Sequence, residues 1–449
     1  MAITCSSDSS EIRYPITVQR AMLMLPMYVV MTARVNGQIS TEVLGNALEQ
    51  VRHRHFLLGT RVEFNNDQTA YLTSANVPEF PVEIIQTKDD NRWQRLVEQY
   101  LATPFSLETG PLVRFALVEG ETSSHLIVSA HHVICDGISL GYLLRDILTV
   151  CGTPLTTLEP LPVPPRVTQE TALTPLRTFW LRRWIISKVW QAWDRKNIQF
   201  DTAKRNAMLE RFFAANDKID FHAGELSVPE TDRLVVRCHD EGVTVNSAVW
   251  AAVLSAQHRF LPRKRIHSTA GLARSLRPLL QSKVGDGFGF FAASMTFKLR
   301  YEPDLPFWHM VRKAHTRIHQ RLKKENPFQQ MILEIVHPGL VDSLYFQKLG
   351  FIDENLSRRM LKVAHWHKEF YGCAITNVGR LNIPHIYGAL VVEAVHGPVV
   401  YSDVNEKTIG VATVAGRLTL SMTTDGHRIP FATGTQILTE ALHQLRANL

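Results

Sequence analysis

The sequence contains few cysteines, and their spacing suggests no shared function. Five cysteines occur in 449 residues, and no two of them form a CxxC pair. A disulfide framework or a thiolate zinc site is therefore not expected, and a reducing compartment suits the composition best. The cysteines are Cys5, Cys135, Cys151, Cys238 and Cys373.

Long apolar runs are also missing. The longest, near residues 21–33, is interrupted by Pro26 and is too short to cross a bilayer, so we expect a buried element there. The first ten residues lack the order of basic, apolar and small residues that marks a secretory signal. We therefore expect a cytoplasmic protein.

Positive charge exceeds negative charge, with a formal net charge of +7. Such an excess can attract a nucleotide phosphate, an acidic carrier protein or an anionic lipid. A mildly basic surface with no specific partner is the alternative. No zinc-finger, helix-turn-helix or RNA-binding signature accompanies the charge, so a nucleic-acid partner is not expected.

The length and the prolines predict two domains. A chain of 449 residues with 45% hydrophobic residues can build two cores of ordinary size. Six prolines between residues 154 and 175 predict an extended connector, because proline fixes φ and removes a backbone donor. We predict an N-terminal lobe at 1–152, a connector at 153–177 and a C-terminal lobe at 178–449.

Helical and strand patterns alternate in both halves, which predicts an α/β (α+β) fold with mixed sheets covered by helices. A short polar segment with Gly120 between two apolar strands predicts an antiparallel hairpin. Predicted helices are 40–53, 91–101, 138–148, 178–196, 247–260 and one that begins near residue 434. Predicted strands are 112–118, 125–132, 293–299, 372–377, 391–395, 408–415 and 417–423.

The segment from Leu126 to Gly137 carries the most chemical information. An apolar strand ends in His131 and His132, and Asp136 and Gly137 follow at the start of a helix. Neighbouring residues on a strand face opposite ways, so one histidine should face a core and the other a cavity. An imidazole at a cavity can accept a proton and return it near neutral pH.

Two further interpretations of this segment remain open. Asp136 can orient the histidine, or it can hold the turn as a helix N-cap or through a salt bridge, which we favour. His131, His132 and Asp136 could instead bind a metal, but adjacent strand residues diverge and no further ligand is evident. We therefore expect no metal.

The pattern HHxxxDG resembles the signature of the CoA-dependent acyltransferase superfamily, in the branch of condensation domains, alcohol acetyltransferases and phthiocerol diacyltransferases. Further similar segments follow in family order over nearly the whole chain. They are 17–20 (TVQR), 54–62 (RHFLLGTRV), 104–114 (PFSLETGPLVR), 275–278 (SLRP) and 376–380 (TNVGR). The segment 285–291 (GDGFGFF) is loosely similar to the DFGWG loop of plant members, although a glycine-aromatic turn is the interpretation we favour.

This resemblance implies two lobes like those of chloramphenicol acetyltransferase, with a tunnel between them. His132 would be the catalytic histidine and His131 its supporting neighbour. Asp136 would pair with an arginine of the second lobe, at Arg277 or, as the alternative, Arg274. Asn377 would support the motif.

The resulting hypothesis is an O-acyltransferase that moves an acyl group from an acyl-CoA or acyl-carrier-protein thioester to a small-molecule or lipid alcohol. No permanently bound cofactor is expected, and we expect a monomer. Amide formation, a catalytically inactive binding module and a metal-dependent hydrolase are the alternatives. Tryptophans and basic residues at 178–196 suggest either peripheral membrane contact or, as we favour, a helix packed on a lobe.

Overall fold

A computed structural model describes residues 12–174, 180–263, 268–363 and 372–449. Its helices are α1 Arg20–Met24, α2 Thr41–Arg54, α3 Arg92–Ala102, α4 Gly137–Gly152, α5 Trp180–Asp194, α6 Thr202–Ala215, α7 Val228–Asp240, α8 Val245–Phe260, α9 Phe307–Lys324, α10 Pro338–Lys348, α11 Asn355–Val363 and α12 Phe431–Ala447. Its strands are β1 Arg13–Pro15, β2 Tyr28–Asn36, β3 Arg61–Phe64, β4 Ala70–Thr73, β5 Val82–Gln86, β6 Val113–Glu119, β7 Ser124–His131, β8 Ile219–Leu226, β9 Thr269–Ser275, β10 Ala292–Lys298, β11 Cys373–Arg380, β12 Ile386–Tyr387, β13 Leu390–Val400, β14 Lys407–Val414 and β15 Arg417–Asp425.

The predicted elements are confirmed where the structure describes them. Helix α2 begins after Ser40, whose hydroxyl accepts a hydrogen bond from the backbone N–H of Val43 at 3.2 Å. The predicted hairpin is the antiparallel pair β6 and β7. Helix α5 covers most of the predicted helix 178–196, while Thr178 and Phe179 lie outside the described residues.

The first large sheet contains six strands in the order β12-β13-β2-β7-β6-β5. Strand β2 lies at its centre between β13 and β7, and its apolar side chains are buried on both faces. This strand and α1 form the buried element expected at 21–33. Helices α2, α3 and α4 contribute buried apolar side chains to the same core, which holds strand β7 and the residues that follow it in place.

The second large sheet also contains six strands, in the order β10-β9-β11-β14-β15-β8. Strand β11 runs parallel to β9 and β14, whereas the other pairs are antiparallel. Apolar residues of α8, α9 and α12 cover this sheet and form a second core. The predicted α/β fold with two mixed sheets covered by helices is confirmed.

The two sheets contact each other through strand β13 of the first sheet. Strands β12 and β13 come late in the chain but extend the first sheet. Thr419 and Thr423 of the second sheet donate from their hydroxyls to the carbonyls of Val395 and Val400 in β13, both at 2.7 Å. The sheet that carries His131 is therefore built from both halves of the chain. The division into an N-terminal lobe, a connector at 153–177 and a C-terminal lobe stays a prediction.

The described part of the proline-rich segment, residues 153–174, contains neither helix nor strand. Its backbone runs along both halves of the protein. Leu161 donates to the carbonyl of Arg54 at 2.9 Å, and Leu173 donates to the carbonyl of Leu279 at 2.9 Å. The segment thus connects the first sheet to the region around Arg277.

Candidate active site

Strand β7 ends at His131, and a short turn leads from it to helix α4. The backbone N–H of His131 donates to Leu112 in the neighbouring chain segment, and that of His132 donates to Met27 on the other side, both at 2.9 Å. The two histidines therefore bond in opposite directions. Their surroundings differ as expected: His131 is buried, with 1% of its surface exposed, whereas His132 is partly exposed.

His131 faces the core of the first lobe. Its ring lies against Tyr28 and Phe105, with centroids 5.4 Å and 6.2 Å away. Its Nδ1 accepts a hydrogen bond from the backbone N–H of Val133 at 3.2 Å, which fixes the turn. Burial, and next the neighbouring His132, lower the pKa of His131 to about 3. His131 is therefore neutral near pH 7 and supports the turn.

His132 presents one ring nitrogen to a partner and leaves the other available. Its Nδ1 lies 2.6 Å from the carbonyl oxygen of Cys135. A carbonyl oxygen only accepts, so Nδ1 carries the proton and Nε2 carries the lone pair in the neutral ring. Burial lowers the pKa of His132, and the bond to Cys135 opposes this shift. A neutral imidazole with a basic Nε2 is the form that a general base requires.

Phe290 forms one wall beside the imidazole of His132. The two rings meet edge to face, with centroids 5.1 Å apart. Cys135, in contrast, is fully buried, and its Sγ lies 3.6 Å from the carbonyl of His131. Burial raises the pKa of this thiol well above its ordinary value, so a thiolate nucleophile is not formed here. The imidazole is thus the reactive group of this turn.

Asp136 is the N-cap of α4 and is 4% exposed. Its Oδ1 accepts from the backbone N–H of Ser139 at 2.7 Å and from the Ser139 hydroxyl at 2.8 Å. Its Oδ2 accepts from the backbone N–H of Phe291 at 3.1 Å. These bonds hold the turn and a segment of the other half of the chain, which is the structural role that we favoured for Asp136.

Arg277 forms the contact with Asp136 that the family resemblance implies. Its Nη2 lies 3.4 Å from Asp136 Oδ1 and donates to Ser139 Oγ at 2.7 Å. The same atom donates to the carbonyl of Gly287 at 3.0 Å. Arg274, the alternative partner, instead donates to the carbonyl of Leu322. Arg277 therefore joins α4 to the glycine-rich segment at 285–291.

The segment at 285–291 packs directly on the start of α4. The backbone N–H of Gly289 donates to Ser139 Oγ at 3.1 Å, and that hydroxyl is 2.7 Å from the Gly289 carbonyl. Asp286 forms a salt bridge with Arg145 of α4 at 2.9 Å. Because Phe290 belongs to this segment, these contacts also fix the wall beside His132.

A buried carboxylate, Asp146, anchors α4 to the segment 54–62. Its Oδ2 lies 2.7 Å from Arg54 Nε and 3.0 Å from His55 Nε2. Its Oδ1 lies 2.7 Å from Arg145 Nη2. Burial tends to raise the pKa of Asp146, but the bonds from His55 and Arg145 outweigh it and lower the pKa. The helix that begins beside His132 is thereby held along its length.

Gly137 lies where β13 and β11 approach the start of α4. A Cβ at this position would lie 2.8 Å from Pro398 Cγ and 3.1 Å from Val378 Cγ1. Only glycine fits this approach without a shift of its neighbours. Asn377, next to Val378, lies at a bulge in β11, accepts from the N–H of Gly379 at 2.7 Å and contacts Asn246 at 3.3 Å. Asn377 shapes the strand that supports Gly137.

Several residues of this site were not predicted from the sequence. Ser139 lies at the third position of the helix, where a serine could have signalled an N-terminal hydrogen bond. Pro398 carries no local signal, because its role depends on contacts with a distant segment. The glycine-aromatic turn at 285–291 was noted, but its contacts with Asp136 and Ser139 were not.

Within the described ranges, no group of three His, Cys, Asp or Glu side chains is placed to hold a metal ion. Over the same residues, no helix combines the length and the apolar character needed to span a bilayer. A cavity of about 580 Å³ lies between α3, β8 and α12, and His132 does not line it. The four described cysteines are free thiols.

Comparison with known proteins gives one family match. Residues 27–343 match the family described as "Condensation domain". The chain is 23% identical over 354 residues to bacitracin synthase 1 of Bacillus licheniformis, which is 72% of this chain but 6% of that protein. It is 25% identical over 336 residues to phosphinothricin tripeptide synthetase of Streptomyces viridochromogenes. That match covers 69% of this chain and 29% of the synthetase. The chain thus spans a small part of the length of these relatives.

Solved structures share the fold over almost the entire chain. Trichothecene 15-O-acetyltransferase from Fusarium sporotrichioides superposes with a TM-score of 0.66 at 12% identity, covering 99% of this chain and 98% of that one. The epimerization domain from the third module of tyrocidine synthetase B gives a TM-score of 0.61 at 14% identity. The superposition covers 100% of this chain and 98% of that domain. At these identities the likeness concerns the fold.

Proposed function

We propose, since the chain belongs to the condensation-domain family, that it transfers an acyl group from a thioester to a hydroxyl acceptor with His132 as general base. The observation that carries the proposal is the bond between His132 Nδ1 and the carbonyl of Cys135, which leaves Nε2 as the basic nitrogen. A base fixed in this tautomer at a partly exposed position suits direct proton transfer.

The proposed reaction proceeds in two steps with one proton carrier. As the acceptor oxygen attacks the thioester carbonyl carbon, its proton moves to Nε2 of His132 and a C–O bond forms. When the tetrahedral intermediate collapses, the C–S bond breaks and His132 returns the proton to the leaving sulfur. Proximity of the two substrates and general base catalysis supply the acceleration, so no covalent acyl-enzyme is needed.

The surrounding residues have positioning roles in this proposal. Asp136 and Arg277 hold the start of α4 and the segment 285–291, and Gly137 allows β13 to approach. His131 stays neutral and fixes the turn through Val133. Both substrates would reach His132 through a tunnel between the lobes, as the family resemblance implies.

Amide formation is the second candidate, because the sequence relatives include peptide synthetases such as bacitracin synthase 1. An amine acceptor would use the same base at the same position. Incubation of the purified protein with mixed acyl-CoA thioesters and a panel of alcohols and amines, followed by mass spectrometry, tests both candidates. Esters support the first proposal, amides the second, and no acylated product in any combination rejects both.

The donor could be a free coenzyme A thioester or an acyl group on a carrier protein. Parallel assays with acyl-CoA and with an acylated carrier protein distinguish the two donors. Faster turnover with the carrier-bound acyl group would assign the donor to a carrier protein. A monomeric state and the absence of a permanently bound cofactor stay predictions.

Peripheral membrane contact through 178–196 also stays a prediction, and it now rests on fewer residues. Trp193 is buried, and the ring of Trp190 packs on His337 with centroids 4.7 Å apart. Trp184 and Ile185 remain exposed, with Lys188 beside the ring of Trp184. Binding of the protein to anionic vesicles, compared with Trp184→Ala, tests the contact.

A further inference from the structure

A basic groove runs along one edge of the second lobe, where α9 crosses the end of β10. Three cavities of about 340, 380 and 430 Å³ open there. They form one groove because they share lining residues: Arg317 lines all three, Lys298 lines the first two and Lys313 lines the last two. We call this surface the Arg317 groove.

Cations predominate in the Arg317 groove. Its basic lining residues are Lys298, Arg300, Arg312, Lys313, Arg317, Arg321 and Lys324. Three carboxylates nearby offset part of this charge, since Glu241 pairs with Arg312, Glu302 with Lys313 and Glu325 with Arg321.

The remaining cations of the groove are available to a ligand. Arg300, Arg317 and Lys324 are exposed, and among the described residues no carboxylate forms a salt bridge with them. Lys298 is also exposed and donates only to the hydroxyl of Thr269, at 2.7 Å. Four cations without a carboxylate partner, spread over adjoining concave cavities, suit a ligand with several phosphate groups.

The groove is connected to the candidate active site by two paired strands. In β9 and β10, Thr269 is opposite Lys298 at the groove, and Ser275 is opposite Ala292 at the other end. Six residue steps of an antiparallel strand correspond to about 20 Å. Beyond Ala292 lies Phe291, whose backbone binds Asp136. The groove and the site therefore lie at opposite ends of this strand pair.

The strand face between the two ends offers space for an extended chain. Lys298 and Thr296 line the groove, and strand alternation places Ser294 on the same face. The residues opposite Thr296 and Ser294 are Gly271 and Ala273, which are small. A narrow arm could lie along these positions with its phosphates at Arg317 and its other end toward His132.

We infer that the Arg317 groove binds the phosphate-rich end of a free nucleotide thioester of the coenzyme A type. The inference rests on the proposed function, because it assigns the donor of that reaction. A free nucleotide is favoured over a carrier-borne arm because it brings several phosphates, which match the several unpaired cations. Binding to an anionic lipid surface instead is one outcome of the test.

Calorimetric titration with coenzyme A tests the inference without requiring turnover. Arg317→Gln should weaken coenzyme A binding by about tenfold or more, because it removes a charge-assisted bond to phosphate. Binding of pantetheine, which has no phosphate, should not change. Arg233→Gln on α7 is the matched control, since Arg233 is exposed on a helix and does not line the groove, and it should bind coenzyme A as the unchanged protein does.

Three results would overturn the inference. In the first, Arg317→Gln and the unchanged protein bind coenzyme A with equal affinity. In the second, the protein binds coenzyme A no more tightly than pantetheine. In the third, Arg317→Gln loses binding to phosphatidylserine vesicles but still binds coenzyme A normally. Failure of the groove is distinguishable from failure of the proposed function. If His132→Ala stops acyl transfer while Arg317→Gln binds coenzyme A normally, only the coenzyme A site at the Arg317 groove is rejected. If Arg317→Gln weakens coenzyme A binding and His132→Ala is fully active, only the role of His132 as general base is rejected.

Discussion

Arg277, just after β9, reaches the carboxylate of Asp136 at the start of α4, with 3.4 Å between Nη2 and Oδ1. The contact joins segments that are far apart in sequence. It is part of a network in which Asp136 also accepts from Ser139 and from the backbone of Phe291. This network fixes the turn that presents His132, so its loss should affect both stability and activity.

Asp136→Asn tests the network. An amide can accept on one side only, so its NH₂ group would face either the Phe291 N–H or the donors at Ser139 and Arg277. A buried donor left without an acceptor costs about 1–3 kcal/mol. We expect the free energy of unfolding, measured with urea, to fall by about that amount. Asp304→Asn, at an exposed aspartate, should leave it unchanged, and equal stability of the two variants would refute the role given to Asp136.

Gly137→Ala tests the close approach of β13. The new methyl group would meet the rigid ring of Pro398 at 2.8 Å, and overpacking of this kind costs about 1–3 kcal/mol. Gly45→Ala is a matched control, because Gly45 lies within α2 and a Cβ there meets nothing within 4 Å. The control should raise the free energy of unfolding by up to about 1 kcal/mol. If both substitutions stabilise the protein, the contact with Pro398 does not constrain position 137.

Much of this fold could be predicted from the sequence, but its central strand could not. Helix α2 and the β6–β7 hairpin have local signals: a capping serine, a regular apolar stripe and a polar turn. Strand β2 is buried on both faces, so it lacks the alternation that identifies a strand. Its neighbour β13 comes from a distant part of the chain, and no local pattern predicts such a pairing.

The candidate site shows the same division between local and distant contacts. His131, His132, Asp136 and Gly137 lie together in the sequence, so their turn could be predicted. Arg277 was assigned only through the family resemblance. The contacts of Phe290 and Pro398 were not foreseen, because they depend on how the two sheets pack.

Four buried or partly buried histidines predict that acid destabilises the protein. Burial is the largest cause that lowers the pKa of four histidines, to about 3 or 4. In the unfolded chain they take up protons near their ordinary pKa of about 6.5, so between that pH and about pH 4 the unfolded state binds more protons. Each such group should lower the free energy of unfolding by up to about 1.4 kcal/mol per pH unit as the pH falls. The four histidines with lowered pKa values are His125, His131, His222 and His396.

His396→Leu tests this linkage with one group. Neither ring nitrogen of His396 has a hydrogen-bond partner among the described residues, so an apolar side chain suits the position. Urea unfolding between pH 7 and pH 5 should show a pH dependence smaller by about one proton in the variant. His53→Gln, at an exposed histidine, should keep the original slope. An unchanged slope in His396→Leu would contradict the burial of a neutral ring at this position.

The pH dependence of catalysis should reflect His132. Burial lowers its pKa, so the basic form is already present at pH 6.5 and above. We expect kcat/KM for acyl transfer to be level at and above the ordinary histidine pKa of about 6.5 and to fall only at a lower pH. A rate that rises on acidification would mean that the protonated ring is the active form, which contradicts a general base.

The most direct measurement compares the acyl-transfer rate of the unchanged protein with that of His132→Ala and of His53→Ala as the exposed control. The proposed mechanism predicts that His132→Ala loses about 10²- to 10⁴-fold in kcat while its free energy of unfolding stays close to that of the control. Full turnover by His132→Ala, with the same product, would contradict the assignment of His132 as the base.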